Sequence, residues 1–421
     1  MTDDTSRVPK LRFPGFTGAW EQRKVGELLT ERNKQEPASD DYPLMAFIAN
    51  EGVAPKGDRY DRSALVSDSK NKKYKKTELG DFIYSSNNLE TGSIGLNRYG
   101  RASISPVYSI FHPTNVADSN FLGRRLVRRD FINAMVRWRQ GVVYGQWRIH
   151  ESDFIKIQLS VPVIEEQRAI GTFLDTFDDL ITLHQRKLSH LRELKRGLLQ
   201  KMFPKSGEDR PEVRFPGFAD AWEQRKFNDL FNPVRNNSLS RAMLNNFSGD
   251  VRSIHYGDVL IRYGAITDCR DATIPFISRS QSSDFSEELL NDGDVLFADA
   301  AEDQTVGKVT EVEGISGTPV VAGLHILACR PKVTMGLGYL AYYLNSPAFH
   351  GSLLPLMQGT KVLSISRSIL AETRVYYPVQ LRERQLLGTF FKQLDDLITL
   401  HQRKLSHLQQ QRKALLQQMF V

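Results

Sequence analysis

Basic side chains grouped around aromatic ones are the residues of this chain whose types and spacing could do chemistry. Clusters of this kind suit contacts with nucleic-acid phosphates, which give affinity and salt dependence. The alternative for each cluster is a solvated basic surface. In the first half of the chain, a lysine group that starts at Lys70 and several arginines supply the candidates. These are Lys72, Lys73, Tyr74, Lys75, Lys76, Arg124, Arg125, Arg128, Arg129, Arg137, Arg139 and Arg148.

Arg124 and Arg128 are one helical turn apart, so we expect them to share a helix face. The second half of the chain offers fewer candidates: Arg262, Tyr263, Thr360, Lys361 and Arg367. Residues 30–160 contain 20 basic and 15 acidic residues, whereas residues 232–377 contain 12 basic and 15 acidic residues. A nucleic-acid reader in the second half therefore requires base contacts to supply much of the binding, or phosphate contacts from partner proteins.

Sets of residues typical of catalysis are absent from the sequence. It has no GxGxxG loop, no complete phosphate loop, no HExxH, no GxSxG and no cluster of Cys and His with metal-ligand spacing. The carboxylate pair Asp178-Asp179 recurs later on the same helical face, away from the apolar stripe, where we expect it to be solvated or to face a partner. An enzyme with an unrecognised site stays open as an alternative.

Length and composition fit a protein of two or three domains. The chain has 421 residues, a net charge of +7 and a pI near 9.2, which mildly favours a polyanionic partner. Only Cys269 and Cys329 are present, as expected for a reduced cytoplasmic protein. The polar first residues predict no signal peptide, and the lack of a run of eighteen apolar residues predicts no membrane span.

One repeated segment must position these residues. Asp178–Leu191 returns letter for letter as Asp395–Leu408, in two proline-free windows whose apolar residues recur every three or four positions. From Glu165 to Phe203 such a helix would be about 58 Å long. Two similar striped helices most simply bury their stripes against each other as a coiled coil, with His184 and His401 as polar positions in the seam. The alternative is one ordinary core helix per domain.

A second repeat precedes each helical window. Arg12-Phe13-Pro14-Gly15-Phe16 and Ala19 to Lys24 recur 202 residues later, starting at Arg214. We call these repeats the first and second arms, and the residues 30–160 and 232–377 the first and second bodies. The bodies resemble each other weakly, although Gly80-Asp81 and Gly293-Asp294 both predict a turn into a buried strand.

The predicted fold class is α+β, with two similar mixed α/β domains in tandem and a pair of long antiparallel coiled-coil helices with pseudo-twofold symmetry. An eight-residue linker reaches at most about 28 Å, so the helices should be antiparallel, with the first arm near Val421 and its copy beyond Phe203. The predicted boundaries are a disordered lead at 1–8, a first domain at 9–161, a first long helix at 162–203, a linker at 204–211, a second domain at 212–378 and a second long helix at 379–421.

The chain as a whole resembles the specificity subunits of type I restriction–modification systems. The resemblance rests on the two arms, the twin helices, Glu165-Glu166-Gln167, His255 to Asp258, Gln358-Gly359-Thr360 and Ile365-Ser366. It implies that the two domains are target recognition domains, each reading one half of a bipartite DNA sequence, and that the helices set the unread gap. It implies no catalysis by this chain.

The resemblance also implies partners. Two modification subunits would carry S-adenosylmethionine and methylate adenine, and restriction subunits would use ATP and magnesium to translocate and cut DNA, so this chain itself should hold no cofactor or metal. The expected partners are therefore double-stranded DNA and these subunits, and no membrane. The rival hypothesis is a non-enzymatic adaptor in which a coiled coil joins two protein-binding modules.

Overall fold

The computed structural model describes residues 7–55, 72–143, 146–270 and 273–421. Most of the predicted lead, residues 1–6, and Lys70 of the lysine cluster lie outside the described residues. The chain divides into two compact units. Unit 1 comprises residues 1–184 and 404–421, and unit 2 comprises residues 185–403.

Unit 1 is built from short strands and short helices that precede the first long helix. Its strands are β1 (Glu21–Lys24), β2 (Leu29–Glu31), β3 (Gln35–Glu36), β4 (Ala46–Ile48), β5 (Gly52–Ala54), β6 (Tyr74–Thr77), β7 (Phe82–Tyr84), β8 (Ile94–Leu96), β9 (Ala102–Ile104), β10 (Ser109–Pro113), β11 (Gln140–Val143), β12 (Gln146–Arg148) and β13 (Gln158–Val161). Its short helices are α1 (Val25–Leu28), α2 (Ser119–Arg125), α3 (Arg129–Val136) and α4 (Glu151–Phe154).

Two long helices follow the two bodies. They are α5 (Ile164–Lys201) and α11 (Leu381–Gln418), each of 38 residues. Glu165 and Glu166 place negative charge in the first turn of α5, where the helix dipole favours it, and Pro204 follows its end. The predicted pair of long helices is confirmed.

Unit 2 contains the elements between these helices. Its strands are β14 (Glu223–Lys226), β15 (Phe231–Val234), β16 (Leu244–Asn245), β17 (Arg252–Ile254), β18 (Ile266–Asp268), β19 (Phe276–Ile277), β20 (Val295–Ala298), β21 (Ala300–Ala301), β22 (Val309–Glu313), β23 (Val320–Ala322), β24 (Ile326–Pro331), β25 (Leu363–Ser364) and β26 (Arg374–Tyr377). Its short helices are α6 (Phe227–Leu230), α7 (Tyr256–Ile261), α8 (Tyr339–Leu344), α9 (Pro347–Leu353) and α10 (Arg367–Glu372).

The main sheets of the two units have matching orders. Unit 1 pairs β2-β10-β7-β8, and unit 2 pairs β15-β24-β20-β22-β18. The strands that follow the two Gly-Asp turns, β7 and β20, are central and fully buried, as predicted. In each unit the arm strand pairs antiparallel with the strand that leads into the long helix: β1 with β13, and β14 with β26. The predicted α+β class with two similar domains is confirmed.

Each unit also shows that the long helices are antiparallel. In unit 1, Arg412 near the end of α11 donates from Nε to Asp178 Oδ1 in the first half of α5, at 2.5 Å. In unit 2, Lys195 Nζ of α5 lies 2.5 Å from Asp395 Oδ1 of α11. These four residues occupy corresponding positions in the repeat, so the same bridge is built twice. Asp178 was expected to be solvated or to face a partner, and that expectation is wrong, because the carboxylate is paired within unit 1.

The arms fix the units by a repeated set of contacts. Arg12 donates Nε and Nη2 to Glu166 at 2.7 Å each, and Arg214 does the same to Glu383 at 2.7 and 2.8 Å. Both carboxylates are buried, and bidentate pairs of this kind are the strong ones.

The aromatic residues of the arms pack on the ends of the long helices. Trp20 packs edge-on against Phe420, and Trp222 packs edge-on against Phe203, each at 6.3 Å between ring centroids. Both tryptophans are buried, and each anchors the core of its unit. The predicted positions of both arms are confirmed. Across the described residues, no helix is both long and apolar enough to cross a bilayer.

Candidate nucleic-acid interface

A hairpin at the end of the first body brings several predicted residues together. The antiparallel strands β11 and β12, at residues 140–143 and 146–148, form this first hairpin. It is docked on the loop after β7, because the Trp147 N–H donates to Asn87 Oδ1 at 2.6 Å and the Ile149 N–H donates to Ser86 Oγ at 3.0 Å. A predicted residue, Arg139, helps to hold it there by donating to Ser86 O and to both carboxylate oxygens of Glu90.

The exposed side chains beside this hairpin are basic and aromatic. Arg148 is 68% exposed, Trp147 is 43% exposed and Arg137 is exposed beside Trp138. Glu151 lies 3.8 Å from the Arg148 guanidinium. Burial opposes ionisation of Glu151, but a hydrogen bond from Ser109 and the positive charges of Lys75 and Arg148 outweigh it and lower the pKa of its carboxyl. A guanidinium near an indole ring can contact phosphate while the ring stacks on a base.

Unit 2 builds a similar hairpin at residues 358–364, the second hairpin. Gln358 and Ser364 exchange backbone hydrogen bonds of 3.0 and 2.8 Å, and β25 pairs with β21 in the loop after β20. The predicted residues Thr360 and Lys361 are exposed at its tip. As in unit 1, the segment that begins with Gln-Gly therefore rests on the loop after the Gly-Asp strand.

Gly359 shapes the second hairpin. Its φ is +113°, a conformation that L side chains rarely adopt, and an added Cβ would lie 2.0 Å from the Val362 carbonyl oxygen. The glycine is thus required for the turn that presents Thr360 and Lys361.

A histidine–carboxylate pair lies at the same end of unit 2. The Asp299 carbonyl accepts the Ile365 N–H at 2.9 Å, which joins this residue to the base of the second hairpin. His325 Nδ1 is 3.0 Å from Asp299 Oδ1, and the Tyr256 ring packs edge-on against His325. Burial raises the pKa of the Asp299 carboxyl, and His325 opposes that shift. The pair adds hydrogen-bonding groups that suit base edges.

The lysine cluster around Tyr74 is divided by strand β6. Lys72 and Lys73 are exposed, whereas Tyr74, Lys75 and Lys76 are buried. Lys76 Nζ donates to Pro37 O at 2.6 Å and Ser103 Oγ at 3.0 Å, and burial lowers the pKa of its ammonium group. Of this cluster, the strand leaves Lys72 and Lys73 accessible.

The arginines from 124 to 129 also separate into two groups. Arg124 and Arg125 are buried, and Arg124 Nη2 lies 2.7 Å from Asp175 and 2.6 Å from Asp178. Arg128 precedes α3 and donates to the Leu416 carbonyl, and Arg129 is exposed. The expectation that Arg124 and Arg128 share a helix face is wrong, because α2 ends at Arg125 and Arg128 is the N-cap of the next helix.

The remaining predicted residues of unit 2 are either buried or bonded to other groups of that unit. Arg262 lies 3.3 Å from the Asp258 carboxylate, and Tyr263 is buried. Arg367 donates to the carbonyls of Ala328 and Val234, at 3.3 and 3.2 Å. Arg367 opens α10 directly after the second hairpin, and its side chain is held by β15 and β24.

Sequence reasoning missed Ser86, Asn87 and Asp299, which dock the hairpins, and His325, which pairs with Asp299. A signal was available in the sequence: Ser86 and Asn87 follow β7, and Asp299 follows β20, each five or six residues after the aspartate of a Gly-Asp turn. Both cysteines are buried free thiols, and burial raises the pKa of each to about 12. Within the described ranges, no group of three or more His, Cys, Asp or Glu side chains is arranged to hold a metal ion.

Comparison with known proteins agrees with this arrangement. Residues 18–193 match the model of the type I restriction modification DNA specificity domain. The type I restriction enzyme MjaVIII specificity subunit of Methanocaldococcus jannaschii is 20% identical over 409 residues, which cover 94% of this chain and 91% of that protein.

A solved structure shows the same fold. The S subunit of a type I restriction–modification system from M. genitalium aligns with a TM-score of 0.57 at 14% identity, over 98% of this chain and 99% of that one. The HsdS subunit from Thermoanaerobacter tengcongensis aligns with a TM-score of 0.45 at 17% identity, over 99% of both chains. Residues 18–193 are therefore similar to the type I restriction modification DNA specificity domain, and the chain has the fold of the M. genitalium S subunit.

Proposed function

We propose that this chain is the non-catalytic DNA-specificity subunit of a type I restriction–modification complex, in which each body reads one half of a bipartite target. The observation that carries the proposal is the hairpin platform built twice on a repeated set of arms and helices. Each hairpin rests on the loop after its Gly-Asp strand, and the exposed side chains differ: Trp147 and Arg148 in unit 1, Thr360 and Lys361 in unit 2. Two bodies that carry different exposed side chains on equivalent arms and helices suit two different half-sites.

The proposed roles of the two bodies in DNA binding follow from their exposed side chains. In unit 1, Arg137, Arg148, Lys72, Lys73 and Arg129 are exposed cations for phosphate contacts. Unit 2 has a more acidic body, so Thr360, Lys361 and the His325–Asp299 pair would contribute hydrogen bonds to base edges, with further phosphate contacts from partner subunits.

The long helices supply the proposed spacer. Each is continuous and contributes residues to both units. Their length would therefore set the number of unread base pairs between the half-sites. Adenine methylation with S-adenosylmethionine and ATP- and magnesium-dependent cleavage would be carried out in the cytoplasm by two modification subunits and by restriction subunits.

A gel-shift series tests the proposal against the adaptor alternative. The full-length chain, co-expressed with the modification subunit of its own host, is titrated with random duplex DNA at several salt concentrations. We expect the logarithm of the binding constant to fall linearly and steeply with the logarithm of salt. Absence of binding, or binding without a salt slope, would favour the adaptor.

A labelled-cofactor assay tests the enzyme alternative. The chain alone is incubated with duplex DNA and radiolabelled S-adenosylmethionine. We expect no transfer of label to DNA without a modification subunit, and transfer by the chain alone would overturn the non-catalytic assignment.

A further inference from the structure

Among the differences between the two long helices is a short stretch that lies between two identical segments. Gly171-Thr172-Phe173 equals Gly388-Thr389-Phe390, and the shared fourteen residues begin at Asp178 and Asp395. Between them, Leu174–Phe177 and Phe391–Leu394 differ at all four positions. We name these two stretches the helix keys. Four consecutive differences between two identical segments call for a local contact that differs.

In unit 1 the key residue Asp175 faces a basic edge of the first body. Its carboxylate lies 2.7 Å from Arg124 Nη2 and 3.4 Å from Arg98 Nη1. Arg124 is only 6% exposed and also contacts Asp178, so its charge is balanced by α5. The first body therefore presents cations to its helix.

In unit 2 the corresponding residue, Lys392, faces an acidic edge of the second body. Its Nζ lies 2.6 Å from Glu313 Oε1 at the end of β22. Asp268 is close as well: the hydrogen bond from Arg270 and, more weakly, the positive charge of Lys392 lower the pKa of its carboxyl. The sign of the contact is thus reversed at one position of the repeated helix.

The first aspartate of the shared fourteen residues, Asp178 in α5 and Asp395 in α11, also has different partners in the two units. Asp178 receives the Arg124 guanidinium from the first body, whereas Asp395 receives the Tyr342 hydroxyl at 2.9 Å from the second body. Arg124 and Tyr342 each lie in the short helix of their body that packs on the long helix. The first body thus brings a positive charge and the second a neutral donor.

An earlier helix position follows the same pattern. The Gln167 side chain accepts the Asp118 N–H at 3.0 Å and donates to the Val116 carbonyl in unit 1. Arg384, its counterpart, donates to the Thr334 carbonyl at 2.9 Å in unit 2. Both positions reach the body that precedes their helix, and each is matched to it.

We propose that Asp175 and Lys392 are positioning residues that match each body to its own long helix by opposite charge. The unit that can be exchanged between specificity subunits is then a body together with its helix as far as the key, and not the body alone. A second body transplanted onto the α5 key would set Glu313 and Asp268 against Asp175, and like charges at contact distance repel. This inference deepens the proposed function, but its test needs no DNA.

A double-mutant cycle on Glu313 and Lys392 tests it. The full-length chain is prepared as wild type, Lys392→Asp, Glu313→Lys and the double variant, with Gln393→Asp as the control, because Gln393 is exposed and adjacent on the same helix. We expect each single reversal to lower the melting temperature by about 3 to 6 °C at low salt, the double variant to recover most of this, and the control to shift by less than about 1 °C.

Two further readouts separate the charge match from general damage. High salt should shrink the single-variant losses, because partly exposed charges are screened. Hydrogen exchange should localise the single-variant effect to α11 residues 381–403 and β22. Lys392→Gln, which removes charge without reversing it, should lie between wild type and Lys392→Asp.

Additive losses in the double variant, or a Lys392→Asp protein that melts like wild type, would overturn the proposal. A chain that failed to bind DNA but showed the cycle would refute only the proposed function.

Discussion

In both units the arm makes the same contacts with the long helix. The contacts that each body makes with its long helix differ between the units. Arg12–Glu166 and Arg214–Glu383 are geometrically alike. By contrast, the corresponding positions in the main sheets hold Leu96, packed against Gly123, and Glu311, a buried carboxylate that accepts the N–H groups of Gly338 and Ala341 at 3.1 Å each. The comparison indicates that equivalent supports carry two different bodies.

The largest expected effect concerns the buried arm pairs. Arg12→Ala should destabilise unit 1, and Arg214→Ala unit 2, by about 3–5 kcal/mol each, because a buried carboxylate loses its partner. Hydrogen exchange of each full-length variant would show in which unit the loss occurs. Arg23→Ala, which removes an exposed pair with Glu21, should change stability by less than about 1 kcal/mol. Unequal losses at Arg12 and Arg214 would break the equivalence of the two supports.

The second-largest expected effect is a difference in stability between substitutions at Gly388 of α11 and Gly171 of α5. An added Cβ at Gly388 would lie 2.2 Å from the Leu337 carbonyl oxygen, a backbone atom, whereas at Gly171 the nearest atom is the Asp118 side-chain oxygen at 2.7 Å. Gly388→Ala should therefore cost about 3 kcal/mol and Gly171→Ala about 1 kcal/mol, since a side chain yields more easily than backbone. Denaturant unfolding of both variants measures the difference. Equal costs would contradict this comparison.

The buried Glu311 predicts a pH dependence confined to unit 2. Burial raises the pKa of its carboxyl from 4.5 to about 7, although the two backbone N–H groups oppose the shift. The folded state therefore binds this proton more tightly than the unfolded state, and the group's contribution to stability is lost as pH rises from about 4.5 to about 7.

Glu311→Gln removes that dependence. The stability of the variant relative to wild type should improve by up to about 3 kcal/mol between pH 4.5 and pH 7.5, as followed by thermal unfolding across pH. Leu96 makes no corresponding contribution in unit 1, so Leu96→Met should leave the pH profile unchanged. A flat difference for Glu311→Gln would show that the carboxyl ionises normally.

The smallest effects concern the hairpins. Arg148→Ala and Lys361→Ala should each reduce the salt slope of DNA binding by about 1, with stability unchanged, since both side chains are exposed. Gel shifts over a salt series measure the slope, with Lys187→Ala on the exposed face of α5 as the control. Loss of binding without a change in slope would mean that these side chains do not contact phosphate.

The long helices and the arms could be predicted from the sequence, but the surroundings of many candidate site residues could not. Identical letters at Asp178–Leu191 and Asp395–Leu408 had to form equivalent structures, and the repeated arms had to meet equivalent helix ends. Burial of Arg124 could not be predicted, because Asp175 lies about fifty residues away along the chain and only the fold brings the two together. The same holds for Lys76, which looks like a surface cation in sequence but donates to groups from two other segments.

Sequencing of methylated sites in cells tests the central claim most directly. The wild-type chain is compared with one in which the second body and α11 through Leu394 are replaced by those of a type I specificity subunit. It is also compared with one carrying four extra residues, about 6 Å, at matched points of both long helices. We predict a bipartite target, of which the first change alters one half-site only and the second alters only the gap. A single uninterrupted target, or a body exchange that alters both half-sites, would contradict the account.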